Sequence, residues 1–134
     1  MLSWRRPDNL GVKDGRLAPC KRTPNCVSSQ ADPADREHFI APLAFKSSMA
    51  ELRKAVESMP RSTVVKEDDN YLYAEFRTLL MRYVDDVELF YDAKAGLIHV
   101  RSASRLGRRD FGVNRKRIEM LRRILVSPSK PIPK

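Results

Sequence analysis

Two short stretches of this 134-residue chain hold the side chains best placed for chemistry. The first is Cys20-Lys-Arg-Thr-Pro-Asn-Cys26, which carries the only two cysteines. Pro24-Asn25 favours a turn that would bring the two sulfurs together. Closing so short a loop would contribute about 2 kcal/mol by the chain-entropy estimate. In a reducing cytoplasm the pair would stay as thiols, and Lys21 and Arg22 would then favour a reactive thiolate. The two-residue spacing of thioredoxin-like sites is absent. The first expectation is therefore a structural disulfide or passive thiol pair, the second a redox site and the third a metal-related one. Two cysteines and two histidines are too few for a zinc ribbon, so no metal or cofactor is expected.

The second stretch runs from Arg101 to Arg117 and reads RSASRLGRRDFGVNRKR. Gly107 and Gly112 permit tight backbone turns, and Asp110 or Asn114 can cap the helix that follows. Arg115, Lys116 and Arg117 then fall in its first turn. A helix N-terminus already carries about half a positive charge, and each cation there costs roughly 0.3–1 kcal/mol. A bound anion would remove that cost. Free N–H groups, the forks of Arg101, Arg105, Arg115 and Arg117, Lys116, Asn114 and the hydroxyls of Ser102 and Ser104 would together hold a phosphate or carboxylate. The competing reading is internal: Arg101 pairs with Glu88, and Arg115 or Arg117 reaches Asp85, Asp86 or Glu119. Neither of the glycine-rich phosphate-loop patterns is present.

Charge patterning supports an anionic partner. Residues 93–134 carry twelve Lys and Arg against two Asp and Glu, a net of +10 in a chain whose total is +9. Residues 1–45 stand at +2 and residues 46–92 at −3. A field this lopsided favours an anionic small molecule or an acidic protein surface. Nucleic acid is disfavoured, because Phe111 is the sole aromatic in the basic third.

These residues need elements to position them. Prolines crowd residues 1–42 and 128–134, leaving only Pro60 between. The expected division is an irregular N-terminal arm over 1–45 bearing the cysteine pair, a folded core over 46–127 and a loose tail over 128–134. Leu10, Val12, Leu17, Val27, Phe39, Ile40 and Leu43 would pack the arm across the core. Ser48 three residues before Glu51 has the spacing of a capping box, and Met49, Leu52, Val56 and Met59 follow on one helical face until Pro60. Strands are expected near 62–67, 71–78, 86–92 and 97–103, and a last helix over about 114–126 with Ile118, Leu121 and Leu125 inward.

The last two strands allow a register. A four-residue turn over Ala93–Gly96 pairs Asp92 with Leu97, Tyr91 with Ile98, Leu89 with Val100 and Val87 with Ser102 on one face. Phe90 with His99 and Glu88 with Arg101 occupy the other. A slip of one residue would mix apolar with charged. The expectation is an α+β two-layer sandwich: a four-stranded antiparallel sheet flanked by two helices, apolar toward them and charged on the far face, with the arm packed on it. The apolar stripe of the last helix is better used in that core than on a membrane surface.

Enzyme readings are weak. His38 beside Phe39 and His99 mid-strand stand in no nucleophile motif. Asp85 and Asp86 are successive strand residues, point to opposite faces and cannot share one cation. No apolar run is long enough for a membrane span. The start, MLSWRRPDN, has arginines without the apolar run of an export signal, which places the chain in the cytoplasm; a trimmed periplasmic protein would read the same.

The arm from Arg6-Pro-Asp-Asn-Leu-Gly-Val-Lys-Asp-Gly-Arg-Leu-Ala-Pro-Cys20 through Pro24-Asn-Cys-Val-Ser-Ser-Gln30 resembles the domain-of-unknown-function family number 1499 of bacterial and plastid proteins. So do Val84-Asp-Asp-Val-Glu88, Val100-Arg-Ser-Ala-Ser-Arg-Leu-Gly107 and Asp110-Phe-Gly-Val-Asn-Arg-Lys-Arg117. Arg108 and Arg109 depart from the pattern, where an aromatic and a small polar residue are expected. The resemblance marks Cys20, Asn25, Cys26, Ser28, Ser29 and Gln30, then Asp85, Asp86 and Glu88, then Arg101, Ser102, Ser104, Arg105 and Asn114 to Arg117. Such a set would be either a cleft or an ion-pair lattice joining arm, sheet and helix, with Asp85, Asp86 and Glu88 as its structural acids. The leading expectation is a non-catalytic module binding an anionic ligand or acidic protein group at the turn into the last helix. The alternative is a thiol-dependent redox or small-molecule enzyme using Cys20 and Cys26.

Overall fold

The register expected for the last two strands holds residue for residue. In the computed structural model, which describes residues 5–79, 83–107 and 109–126, Asp92 faces Leu97, Leu89 faces Val100 and Glu88 faces Arg101. The strands are β1 (Cys26–Ser28), β2 (Leu43–Ala44), β3 (Ser62–Glu67), β4 (Tyr71–Arg77), β5 (Val84–Asp92) and β6 (Leu97–Ser104), with helices α1 (Met49–Glu57) and α2 (Val113–Val126). The expected tail over 128–134, and Arg108, lie outside the described residues.

The sheet has six strands, not four. Its order is β1-β6-β5-β4-β3, with β2 also pairing β6, and every pairing is antiparallel. The two added strands come from the arm, so that segment is not irregular throughout. Cys26, Val27 and Ser28 sit opposite Ala103, Ser102 and Arg101. Strands of three and two residues are too short to show a period-two pattern.

Both helices lie on one face. Leu52 and Val56 of α1 and Ile118 and Leu121 of α2 pack with Leu72, Ala74 and Phe76 of β4, Val87 and Leu89 of β5, and Ile98 and Val100 of β6. Ser48 caps α1 by accepting the Glu51 amide at 3.2 Å. Val27, Ile40 and Leu43 carry the arm into this same core.

The opposite face departs from expectation. Alternation puts Tyr71, Tyr73, Asp86, Glu88 and Arg101 there, charged and expected in water. All five are buried, Glu88 completely. Leu17 packs against Tyr71 and Tyr73, joined by Leu10 and Val12, so the first part of the arm roofs this face. The fold is three layers deep at this point: helices, sheet and arm.

Candidate functional site

Each face of the sheet holds its own buried polar layer, and successive residues of β5 feed them. Asp85 points toward α2 and Asp86 toward the arm, as strand alternation requires.

On the helix side, Arg117 donates from Nη2 to Asp85 Oδ2 at 2.7 Å and from Nη1 to Asn114 Oδ1 at 2.8 Å. Its guanidinium also lies 4.8 Å from the centre of the Phe76 ring. Ser102 donates to Asn114 Oδ1 at 2.6 Å. Asn114 Nδ2 donates to Ser104 Oγ at 2.9 Å and to Asp110 Oδ2 at 2.8 Å. Burial pushes the Asp85 carboxyl above its ordinary range, and Arg117 only partly offsets that.

The positive end of α2 is thus answered from within the chain. Asp110 accepts the Asn114 amide at 3.1 Å and the Gly112 amide at 2.9 Å, which places a carboxylate where an outside anion was expected. Arg115 donates to the carbonyls of Arg36 and Glu37. Lys116 is exposed. Asn114, Arg115, Lys116 and Arg117 therefore do not converge on a common ligand position.

On the arm side, Arg105 forks onto Asp86, with Nε and Nη2 each 2.9 Å from a carboxylate oxygen, and its Nη2 also meets Glu75 at 2.6 Å. Tyr73 donates to Asp86 Oδ1 at 2.5 Å. The Asp86 hydrogen bond raises the Arg105 guanidinium further above its ordinary range, against the opposing effect of burial. Burial would lift Glu75, but bonds from Arg6, Tyr73 and Arg105 outweigh it and hold Glu75 low. Tyr71 donates to Glu88 Oε2 at 2.5 Å, and the Gly11 amide reaches the same oxygen at 2.7 Å. Burial, then Glu88, pushes the Tyr71 hydroxyl well up.

Arg101 is the exception among these arginines. Its Nη1 stands 3.7 Å from Glu88 Oε1, and its best bond is a 3.4 Å contact from Nη2 to the Pro19 carbonyl. Its Nε is buried without a hydrogen-bond partner, and so is Glu88 Oε1. Burial lowers the Arg101 pKa despite Glu88 and Asp86. A buried donor left unmade costs about 1–3 kcal/mol, more for a charged group.

Arg101 borders a cleft of about 390 Å³ between residues 7–9 of the arm, the cysteine loop and the end of β6. Arg5, Lys21, Arg101 and Arg105 supply four cations to its walls, against Asp8 and Asp86. Ser104 also lines it. Of the residues expected to bind an anion, Arg101, Ser104 and Arg105 meet here, whereas Ser102 and Asn114 to Arg117 do not. Cys20 and Cys26 are bridged, with Cα atoms 5.7 Å apart, and Cys26 forms part of the wall. A larger groove of about 550 Å³ beside α1 and the end of α2 touches neither polar layer.

The family described as Protein of unknown function (DUF1499) matches residues 16–125. The chain belongs to that family. The DUF1499 match takes in the cysteine loop, all six strands and most of α2. It begins at Arg16, so the likeness read over residues 6–15 lies outside it, and with it Gly11 and the cleft wall at residues 7–9. No curated protein and no solved structure matches this DUF1499 chain.

Several partners of the site residues escape sequence reasoning. Tyr71, Tyr73 and Glu75 alternate with the core residues of β4, which flagged one shared face but not what covers it. Gly11 and Pro19 act through backbone atoms, for which side-chain type carries no signal.

Proposed function

We propose that this protein is a non-catalytic binding module whose cleft between arm, cysteine loop and β6 receives an anionic group, a carboxylate or phosphate on a small molecule or acidic protein segment. The observation that carries the reading is Arg101: a guanidinium buried at a cleft, with Nε unpartnered and its carboxylate neighbour beyond hydrogen-bond distance. An anion entering the cleft would add an acceptor for this guanidinium, whose Nη2 holds only a 3.4 Å contact to the Pro19 carbonyl. Lys21 adds charge at the wall. Arg105, already forked onto Asp86, positions that carboxylate and serves the anion only by its field.

The Cys20–Cys26 bridge fits a structural role in this reading. It ties Pro19, whose carbonyl touches Arg101, to Cys26 on β1. A persistent bridge favours the periplasmic over the cytoplasmic assignment. The thiol-dependent alternative requires the bridge to open in use.

Thermal melts with phosphate, sulfate and citrate at low salt, against chloride at equal ionic strength, test the proposal. Stabilisation of the wild-type chain but not of Arg101→Met is expected. Equal shifts in both proteins would reflect salting-out alone and would overturn it.

A further inference from the structure

We infer that one pole of this fold docks on an anionic lipid bilayer, carried by two exposed apolar loop tips set among cations that form no ion pair among the described residues. The inference does not rest on the anion reading of the cleft.

Antiparallel pairing brings the end of β6, the start of β5, the end of β4 and the start of β3 to one pole, through Ser104 opposite Asp85, Arg77 opposite Val84 and Ser62 opposite Phe76. The connections before β3, after β4 and after β6 therefore emerge side by side. Leu79, just past β4, is 70% exposed, and Phe111, in the turn into α2, is 87% exposed. Scattered single apolar residues on a surface are ordinary. These two cap neighbouring loops whose strands lie two sheet spacings apart, roughly 10 Å.

The backbone reinforces the case. Phe111 sits at φ +54°, a left-handed conformation that a bulky side chain rarely adopts. The fold thus accepts local strain and leaves a large apolar ring in water, with no compensation inside the described structure. Strain of this kind persists where a function uses it.

Charge identifies the occupant. Lys21, Arg22, Arg61, Arg77 and Arg109 are all exposed at this pole. Among the described residues none of the five is in an ion pair. The one carboxylate in the turn beside Phe111, Asp110, is spent on capping α2. The opposite pole is mixed, with Asp68 and Asp69 between β3 and β4 and Lys94 between β5 and β6. An apolar pair set among cations fits a surface that is negative outside and apolar a few ångströms deeper. An acidic protein face would satisfy the cations but would leave Leu79 and Phe111 without an apolar layer to enter.

Vesicle co-sedimentation tests this with the full chain, comparing pure phosphatidylcholine vesicles with ones containing about one-quarter phosphatidylglycerol. Wild type is expected to pellet with the anionic vesicles in low salt, to stay soluble with the neutral ones, and to be released by high salt. Leu79→Ser with Phe111→Asn should weaken partitioning by about a hundredfold or more, as the loss of two inserted apolar groups requires. Arg77→Glu with Arg109→Glu should abolish it. All four positions are exposed, and unchanged far-UV spectra and melting curves will establish that the variants fold. Failure of the wild type to bind anionic vesicles, binding that survives the apolar double variant, or equal binding to a soluble polyanion with the same indifference to Leu79 and Phe111, would each overturn the inference.

Discussion

Arg101 and Glu88 face each other across β6 and β5 as directly opposed residues, yet their charged ends stand 3.7 Å apart. Each keeps one buried atom without a partner, Nε on the arginine and Oε1 on the glutamate. The other arginines of the two buried layers are bonded tightly: Arg105 to Asp86 at 2.9 Å and Arg117 to Asp85 at 2.7 Å. Among the described residues the only other buried side-chain atom without a partner is Asp85 Oδ1, whose carboxylate is already held by Arg117, so the loose pair is the one place where a buried cation and its facing acid are both left short.

The tight Asp85–Arg117 pair predicts a stability effect. Asp85→Ala or Arg117→Ala leaves a buried charge alone and should cost about 3 kcal/mol in urea unfolding. The double variant Asp85→Leu with Arg117→Met should recover most of that loss. Additive losses in the double variant would contradict the pairing.

The sequence made the two faces of the sheet legible and left their environment hidden. Alternation in β5 and β6 sets the register because Val87, Leu89, Ile98 and Val100 must all turn inward together. The same alternation placed Glu88 and Arg101 on the other face, where charge reads as solvent exposure. What buries them is Gly11 and Leu17, far away in sequence and tied in by one backbone amide and one small apolar cluster. Likewise the spacing around Asn114 exposed a helix start crowded with cations. That Asp110 and Asp85 neutralise it depends on a positive-φ turn at Phe111 and Gly112 and on the pitch of α2 across the sheet, which no local pattern encodes.

His38 should make stability depend on pH. Its Nδ1 lies 2.8 Å from Asp35 and its Nε2 3.0 Å from the Thr23 carbonyl. Burial alone would lower its pKa, but the Thr23 carbonyl and the Asp35 and Glu37 carboxylates outweigh it, so the folded value rises above the ordinary 6.5. Protonation is thus favoured by folding: the stabilisation is complete below pH 6.5 and is lost as pH climbs through the higher folded value. Melting temperatures of wild type and His38→Gln should differ most below pH 6.5 and converge as pH rises above it. A gap that widens with pH would show the wrong sign.

The Cys20–Cys26 bridge should be worth about 2 kcal/mol, the chain-entropy value for so short a loop. Cys20→Ser with Cys26→Ser should lower the unfolding free energy by that amount and shift the denaturation midpoint down with it. An unchanged midpoint would mean that β1 pairing alone orders the loop.

Phe111 at φ +54° predicts that a smaller residue is tolerated or preferred. Phe111→Gly should leave stability unchanged or raise it by up to about 1 kcal/mol, since glycine adopts this conformation without strain. A clear loss in thermal unfolding would show that the ring packs against the fold.

The most direct test is the NMR signal of the Arg101 Nε–Hε group during titration with sulfate and with a small carboxylate at low ionic strength. This resonance should move and saturate, with the Arg105 and Arg117 signals nearly still, and Arg101→Met should abolish the binding isotherm measured by calorimetry. An Arg101 signal that stays fixed across the titration would contradict the proposed anion site.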